Sequence, residues 1–588
     1  MDEPSDLDAL VAAAVRREIG RITRRYVPLL VGAVVFALIV ALVPTVGSND
    51  DRSNDNVAVG PGNASAADGT VGDTNAGDAG GAGATTDVTG TAPAAGGAGG
   101  SGARAAGAPA GGAGGGGSGS GAVAAVSTNG VARSGVECAK DVPQVAWTKY
   151  SPPCAAKFDG ENGGATSRGV TKDTITVTFR RAQSTQDTAV YAAAGDAAPA
   201  PDPQFVADIK TYVDYFNKQY ELYGRKVVVK DFQGQGDYIQ EDQGQGQAAA
   251  AADGATAAQL GGFADITFPL KASRPYWESL ARNKVIAIGP LGFPDSWYQR
   301  YAPYWYSVAA TGSMGARLVA NLVCHRLTTL PAVFAGDPLY QRTKRVFGLI
   351  TPENPEYLGV ANEILAGMKT CGATVARRAS YAINVATFQT QATSIAAQMK
   401  AAGVTTSLCF CDPLVPIFLS NAAQSQNWQP EWFEPYYNDP QGRLMNQSQW
   451  AHALTGGATH PVLHDTEAYH VWKLASPSAE PREQYFDTAY YTVLFLFNAL
   501  QAAGPQLTPQ SVAAGLARLP TTPRGDVGAW TYGAGKYSPV SEVPIAKWNP
   551  NATSKRDEKK GAWISCDGGA WYPYNDAGKW PPLAQPQC

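Results

Sequence analysis

Four of the five histidines fall within residues 451–470, which read AHALTGGATHPVLHDTEAYH. The spacing of His460 and His464 would place two imidazole rings on one face of a helix, as in zinc sites. Pro461 lies between them and is incompatible with a regular helix there. The chain also has no H-E-x-x-H motif and no third ligand at a known spacing. We therefore interpret the segment as a polar loop rather than the alternative metal site, and we predict no bound metal.

The stretch LYGRKVVVKDFQGQGDY, Leu222 to Tyr238, contains a Gly-x-Gly step of the kind that can cradle phosphate. The dinucleotide fingerprint requires a third glycine three residues after the second, and Ile239 occupies that position. No helix is expected to begin directly at the glycine pair, because DYIQEDQGQGQ intervenes. We predict a turn, a buried parallel strand and a loop at its carboxyl end, with residues 233–237 no closer to a site than its rim.

Other motifs of enzyme chemistry are absent. The sequence contains no G-x-S-x-G elbow and no G-x-x-x-x-G-K-[ST] loop, and no pair of carboxylates stands out. We predict that the protein is not an enzyme and carries no cofactor.

The cysteines can form disulfides, and their even number favours this in an oxidising compartment. They are Cys138, Cys154, Cys324, Cys371, Cys409, Cys411, Cys566 and Cys588. The sequence does not fix the connectivity; we expect neighbours along the chain to pair, as Cys138–Cys154, Cys324–Cys371 and Cys566–Cys588. A bridge between Cys409 and Cys411 is strained in an extended strand, so we expect this pair to stay reduced. A metal is the alternative there, although a lone C-x-C pair is weak evidence for one.

The elements that would position these residues begin after an apolar segment. Residues 27–46, VPLLVGAVVFALIVALVPTV, carry no charge, and twenty helical residues span the roughly 30 Å core of a bilayer. Five arginines precede the segment within residues 1–26, which predicts a cytoplasmic N-terminus, a single transmembrane helix at 27–46 and an extracellular remainder. A cleaved signal peptide is the alternative.

Residues 47–135 consist almost entirely of Gly, Ala, Ser, Thr, Asn and Asp. Such a composition has little apolar surface to offset the entropy of ordering. We predict a disordered linker that tethers a globular domain to the membrane.

The globular part alternates strand and helix patterns. DTITVTF, RKVVVKDF, KVIAIGP and RVFGLIT are typical of strands, and the segments between them have apolar residues at helical spacing. This order predicts an α/β fold of two lobes with mostly parallel sheets, over residues 136–548. Residues 549–588 are interpreted as a C-terminal tail with its own cysteine pair. The net charge of −4 gives no indication of nucleic-acid binding.

About two-thirds of the chain, from about Gly169 to Asn549, resembles the type 1 periplasmic-binding fold. The similarity is to substrate-binding proteins of branched-chain amino acid ABC transporters and to extracellular ligand-binding receptors. An ordered set of segments carries it: GVTKDTITVTF, YFNKQYELYGRKVVVKDFQGQGD, ARNKVIAIGPLGFPDSW, YAPYWYSVAATGSMGARLVANLV, VFGLITPENPEYLGVANEILAGMKTCGATV and FDTAYYTVLFLFNALQAAGPQLTPQSVAAGL. This resemblance implies a solute bound in a cleft between two lobes by loops at the strand ends.

Carried over by position, the resemblance implies a set of ligand-binding residues. They are Ser184, Asp265, Thr267, Gly292, Phe293, Asn354, Tyr357, Asp412 and Tyr436. Asp265 or Asp412 could pair with an ammonium group, and Arg180 or Arg181 with a carboxylate. For each residue the alternative is a helix cap or a turn.

One loop departs from the pattern of the amino-acid binders in this family, which offer small hydroxyl residues where this chain has Gly292 and Phe293. This departure favours a solute that is aromatic or otherwise has an apolar body. The aromatic candidates beside the cleft are Phe232, Phe268, Trp297, Tyr436 and Tyr437.

The resulting hypothesis is a membrane-tethered extracellular solute-binding protein that captures a small molecule, with an ABC permease as its partner. A ligand-sensing receptor, a cell-wall hydrolase and a structural protein with a vestigial cleft are the alternatives.

Overall fold

A computed structural model describes residues 129–184, 202–435, 438–457, 463–481 and 486–588. All of them lie in one compact unit, Gly121–Cys588. The segment 27–46 and linker residues 47–128 lie outside the described residues. Residues 129–135, the end of the predicted linker, include strand β1 (Gly130–Val131), which pairs with β2 (Glu137–Cys138). No helix in the described ranges is both long and apolar enough to cross a bilayer.

The first lobe is built on a five-stranded parallel sheet in the order β4-β3-β5-β6-β7. The strands are β3 (Thr174–Gln183), β4 (Lys226–Asp237), β5 (Ala264–Asp265), β6 (Ile286–Ile288) and β7 (Trp305–Tyr306). The connecting helices are α1 (Asp202–Gln219), α2 (Tyr238–Asp242), α3 (Gln247–Gln259), α4 (Arg274–Arg282) and α5 (Asp295–Arg300). Ile175, Val177 and Phe179 alternate along β3 and are buried, as expected for β-branched and aromatic residues at period two.

The second lobe is built on an eight-stranded sheet in the order β14-β13-β12-β11-β10-β8-β9, with β15 paired to β13. Its strands are β8 (Phe347–Pro352), β9 (Val375–Tyr381), β10 (Thr406–Cys409), β11 (Glu431–Pro435), β12 (Ala453–Gly456), β13 (Glu542–Thr553), β14 (Lys560–Ser565) and β15 (Trp571–Pro573). Its helices are α6 (Gly312–Leu322), α7 (Pro355–Lys369), α8 (Phe388–Ala401), α9 (Val415–Ser425), α10 (Asp439–Gly442) and α11 (Gln447–Trp450). Strands β8 to β12 pair in parallel, and β13 to β15 add an antiparallel edge.

Three further helices return to the first lobe: α12 (Glu467–Ala475), α13 (Phe486–Ala503) and α14 (Pro509–Leu516). Their apolar side chains join those of β3 and α1 in one core. The chain therefore passes between the lobes three times: after β7, after β12 and after α14. The prediction of an α/β fold with parallel sheets is confirmed.

The end of the chain is part of the second lobe. The boundary predicted at residue 548 falls inside β13, and β14 and β15 pair with that strand. Disulfides join Cys138 to Cys154, Cys324 to Cys371 and Cys566 to Cys588, the pairs that chain order suggested. The expectation that Cys409 and Cys411 stay reduced is wrong, since a disulfide joins them too across a Cα–Cα distance of 5.1 Å. The backbone leaves β10 at Cys409, so the bridge spans a strand end rather than a regular strand.

Candidate functional site

A cleft between the two lobes has a volume of about 340 Å³. Loops that follow β4, β8 and β9, together with the start of α4, contribute its walls. The lining residues are Glu241, Asp242, Gln243, Gly244, Gln245, Gln247, Arg274, Pro275, Glu353, Asn354, Pro355, Glu356, Ala382, Ile383 and Asn384. The cleft thus lies at the carboxyl ends of parallel strands, where α/β proteins bind ligands.

The first-lobe wall is formed by the short helix α2 and the turn after it. Strand β4 ends at Asp237, whose carboxylate accepts hydrogen bonds from the amides of Ile239 and Gln240 at 3.0 and 3.2 Å. This cap starts α2 at Tyr238, directly after the strand. No helix begins at the glycine pair itself, which lies inside β4, but the segment predicted as a loop after the strand contains this short helix. The helix carries Glu241 and Asp242 to the cleft.

The Gly-x-Gly step holds a carboxylate of the protein itself. The amide of Gln235 donates to Asp253 Oδ1 at 2.9 Å, and the amide of Gly236 donates to Oδ2 at 3.1 Å. Asp253 is buried on α3. The backbone geometry that suggested a phosphate loop therefore binds an internal anion, in agreement with the missing third glycine.

Arg180 on β3 lies behind the first-lobe wall and is fully buried. Its Nη2 donates to Glu241 Oε2 at 3.1 Å and its Nη1 lies 3.6 Å from Asp253 Oδ2. The guanidinium also lies over the ring of Tyr276, 4.4 Å from the centroid. Two carboxylates of the first lobe thus engage the arginine that the sequence suggested for a ligand carboxylate. Arg181 pairs with Asp231 at 3.2 Å.

The second-lobe wall begins where β8 ends. The amide of Glu353 donates to the carbonyl oxygen of Tyr381 at 2.9 Å, which fixes the loop beside the end of β9. Asn354 and Pro355 start α7, and Glu356 lies in its first turn. The loop after β9 is held by Gln391, whose side chain bonds both backbone groups of Ala382.

Among the described residues, two polar contacts cross the cleft. Nδ2 of Asn354 donates to the carbonyl oxygen of Asp242 at 3.4 Å. Nη1 of Arg274 lies 3.7 Å from Oε2 of Glu356. Both contacts are long, and both would break if the lobes moved apart.

The pKa values of two carboxyls in the cleft, those of Asp242 and Glu356, are raised, which favours their neutral forms. The pKa of Asp242 is raised to about 8 by desolvation and then by the charges of Glu356 and Glu241, against the opposing effect of Arg180. Its side chain still contacts the water of the cleft, and solvent screening limits the size of this rise. Burial also raises the pKa of Glu356, while Arg274 opposes that rise.

Among the predicted site residues, Asn354 lines the cleft. Tyr357 lies one position beyond Glu356, partly buried, with its ring centroid 6.1 Å from that of Phe410. Asp412 accepts a hydrogen bond from the hydroxyl of Tyr381 at 2.6 Å and caps α9 through the amides of Leu414 and Val415. It therefore supports the second-lobe wall from behind. Burial raises the pKa of its carboxyl.

Asp265 and Thr267 lie inside the first lobe. Oδ2 of Asp265 accepts hydrogen bonds from Thr178 at 2.7 Å and from Tyr276 at 2.9 Å, and Oδ1 accepts one from the Thr267 amide. Oγ1 of Thr267 accepts from the Arg180 amide. Burial raises the pKa of Asp265. These residues organise the floor around Arg180 and do not line the cleft volume.

Gly292 and Phe293 belong to the junction between the lobes. Gly292 has φ +76°, which favours glycine. Phe293 is buried among Trp277, Trp305 and their neighbours, so the residue that suggested an apolar solute packs in the first-lobe core. Ser184 ends the described part of the β3 loop, and Tyr436 and Tyr437 lie outside the described residues.

In the part of the chain that the structure describes, one group of side chains is close enough to share a metal ion: Cys409, Cys411 and Glu434. The disulfide between the two sulfurs removes the thiolates that a metal would need. His452 bonds the carbonyl oxygen of Phe334 at 2.9 Å, whereas His460 is outside the described residues.

Sequence reasoning missed most of the lining. It did not select Glu241, Asp242, Arg274, Glu353 or Glu356. The sequence contained two signals for these residues. Glu241 and Asp242 are adjacent acids shortly after a strand end, and Glu353 and Glu356 lie on either side of the helix start at Asn354.

No protein-family model matches the chain, and no curated protein matches it. Solved structures are similar to it at low sequence identity. The leucine-, isoleucine-, valine-, threonine- and alanine-binding protein from Brucella ovis, in a closed conformation, is 11% identical with a TM-score of 0.48, over 71% of this chain and 98% of that chain.

An ABC transporter substrate-binding protein from Aeropyrum pernix is 12% identical with a TM-score of 0.49, over 69% of this chain and 98% of that chain. A solute-binding protein from R. palustris in complex with 4-hydroxybenzoate is 13% identical with a TM-score of 0.47, over 69% of this chain and 99% of that chain. Many of the similar structures are type 1 periplasmic-binding proteins of ABC transporters, the group that the sequence resembles.

Proposed function

We propose that the protein captures a small molecule in the cleft between its two lobes and delivers it to an ABC importer. The observation that carries this proposal is a cleft of about 340 Å³ with walls from both lobes. Volumes of about 300–1,000 Å³ are usual for small-molecule sites. A ligand that touched both walls would favour the closed arrangement of the lobes, because three chain segments can act as a hinge between them.

We further propose that residues 27–46 anchor the protein in the cell membrane, with a cytoplasmic N-terminus and an extracellular binding domain. The uncharged segment and the arginines before it support this arrangement. Four disulfides in the described residues support an oxidising compartment. The linker would keep the domain close to a permease in the same membrane and raise its effective concentration there.

The ligand-capture proposal is tested by thermal unfolding of the full-length protein against a metabolite library. A ligand that binds the folded state raises Tm. At a ligand concentration a hundredfold above Kd, the free energy of unfolding increases by about 2.7 kcal/mol. The increase should be lost when Asn354→Ala and Glu356→Gln change both the second-lobe wall and the contacts across the cleft. A folded sample that responds to no compound in the library would contradict solute capture.

The anchoring proposal is tested by cell fractionation and protease treatment of intact cells. We expect the full chain to remain with membranes after alkaline extraction and the domain to be cut from outside. Release of the chain by alkaline extraction would contradict a membrane span.

A further inference from the structure

The lining of the cleft contains more acidic than basic side chains. Four carboxylates line it, from Glu241, Asp242, Glu353 and Glu356, and Arg274 is the one cationic side chain among the described lining residues. Lys and His do not occur in this lining. The remaining polar side chains are amides, which carry no charge and can donate or accept hydrogen bonds.

Half of these carboxylates already have a cation nearby. Glu241 pairs with the buried Arg180, which it shares with Asp253, and Glu356 lies near Arg274. The carboxylates of Asp242 and Glu353 have no ion pair and no hydrogen-bond donor within the described residues. The acceptor oxygens that remain available to a ligand are therefore concentrated on Glu353, from the second lobe, and Asp242, from the first. Desolvation and the charges of Glu356 and Glu241 raise the pKa of Asp242, and a cation bound beside it would favour the ionised carboxylate.

Hydrogen-bonding capacity in the cleft is also unused. Oε2 of Glu356 is buried and accepts no hydrogen bond within the described ranges. Its nearest cation, Nη1 of Arg274, is 3.7 Å away, which is too long for a hydrogen bond. A buried acceptor without a donor is costly, so a donor supplied by a ligand would be stabilising.

The N-termini of two helices contribute positive charge to the cleft and so oppose the charge of the carboxylates. Helices α4 and α7 begin at Arg274 and Pro355, both in the cleft lining, and a helix N-terminus contributes roughly half of a positive charge. When all four carboxylates are ionised, as a bound cation favours, their charge exceeds this contribution together with that of Arg274. The field in the cleft therefore favours cations over anions.

We infer that the ligand of this cleft is a small organic cation, an amine or guanidinium compound, held between Asp242 and Glu353 from opposite lobes. The inference rests on the function proposed above. Each carboxylate would accept charge-assisted hydrogen bonds from the cation, and a cation that reached both would join the two lobes. The side-chain amides of Asn354 and Asn384 would hydrogen-bond the rest of the molecule.

The test uses three compounds of equal chain length and different charge with the full-length protein: 1,4-diaminobutane, 1,4-butanediol and succinate. Binding is measured by calorimetry and by the increase in Tm. We expect 1,4-diaminobutane to bind, the diol and the dicarboxylate not to bind, and the affinity for the diamine to fall as NaCl is raised. Amines and guanidinium compounds of other lengths complete the panel.

Variants then locate the binding site. Asp242→Asn and Glu353→Gln should each weaken diamine binding on the order of tenfold, since each removes a charged hydrogen-bond acceptor. Glu363→Gln is the matched control, because Glu363 lies on α7 outside the cleft lining, and it should bind like the wild type. Equal affinity of all three variants would overturn the inference.

The panel also separates this inference from the function on which it rests. Binding of succinate or of uncharged compounds, with no response to any cation, would overturn the cationic ligand and leave solute capture standing. No response to any compound of the panel or of the metabolite library would contradict both.

Discussion

Nη1 of Arg274 on α4 lies 3.7 Å from Oε2 of Glu356 on α7, so an ion pair joins the two lobes at the cleft. Arg274 is 34% exposed, and such pairs contribute about 0–1 kcal/mol. We expect Arg274→Gln to change the free energy of unfolding by less than about 1 kcal/mol but to shift the empty protein towards a more open arrangement. Small-angle scattering would report this as a larger radius of gyration.

The control for this experiment is Arg282→Gln. Arg282 also belongs to α4, but its partner Glu278, at 3.5 Å, is on the same helix. The radius of gyration of this variant should equal that of the wild type. A compact Arg274→Gln protein would show that this pair does not hold the lobes together.

The ion pair between Arg345 and Glu431 is expected to stabilise the second lobe strongly. Both side chains are buried, and two bonds of 2.7 and 2.8 Å join them. Arg345→Met leaves a buried carboxylate uncompensated, which costs about 3–5 kcal/mol. The double variant Arg345→Met/Glu431→Leu should recover part of that loss, as measured by urea unfolding. A double variant less stable than the single one would contradict this account.

Gly234→Ala should destabilise the first lobe by about 1–3 kcal/mol. A Cβ at residue 234 would lie 2.8 Å from Oδ2 of Asp253 and 2.9 Å from Cγ of Arg180. Neither neighbour can move easily, because backbone amides hold the carboxylate and two acids hold the arginine. Gly578→Ala is the control, since its nearest neighbour would be 3.4 Å away; similar urea midpoints for the two variants would contradict the prediction.

Asp242 should make the empty protein less stable as pH rises. Its folded-state pKa, about 8, lies above the unfolded value of about 3.9, so its contribution to stability is present below pH 4 and is lost as pH rises through 8. Desolvation raises this pKa most, the charges of Glu356, Glu241 and Asp412 raise it further, and Arg180 lowers it. Arg274 and Glu353 also line the cleft.

Asp242→Asn removes this ionisation. Relative to the wild type, the Tm of the variant should rise between pH 4 and pH 9, on the order of 1 °C because water in the cleft screens the charge. Asp576→Asn, a change at an exposed residue beside Lys579, should differ from the wild type equally at both pH values. A pH-independent Tm difference for Asp242→Asn would contradict the prediction.

The order of strands and helices could be predicted because each element buries an apolar face with a clear period. The run RVFGLIT became β8, and the helical spacing before Gly372 became α7. The antiparallel edge could not be predicted, since β13 contains prolines and asparagines and its pairing with β12 joins residues far apart in sequence. The disulfide at Cys409 depends on the backbone leaving the strand there, which the sequence pattern does not define.

The site was predicted less well than the fold. Asn354 was selected by position from the resemblance, and the structure places it in the cleft lining, directly before α7. Asp242 and Glu356 were missed because a carboxylate on the surface and one in a cleft have the same sequence pattern. The pKa of each is raised mainly by desolvation in the folded protein, and that of Asp242 also by the charge of Glu356 from the other lobe. Asp265 and Asp412 were selected by position, and the structure shows their carboxylates bonded within their own lobes.

Each lobe is built from segments that lie far apart in the sequence, and this has a consequence for biosynthesis. The core of the first lobe includes α13, which follows all five parallel strands of the second lobe in the chain. At about 5–20 residues per second, a ribosome that has made β3 and β4 produces α13 only tens of seconds later. During that interval the nascent first lobe exposes the apolar surface that α13 later covers. The sheet of the second lobe likewise remains incomplete until β13 has been synthesised. Folding of both lobes is therefore completed late in translation or after it.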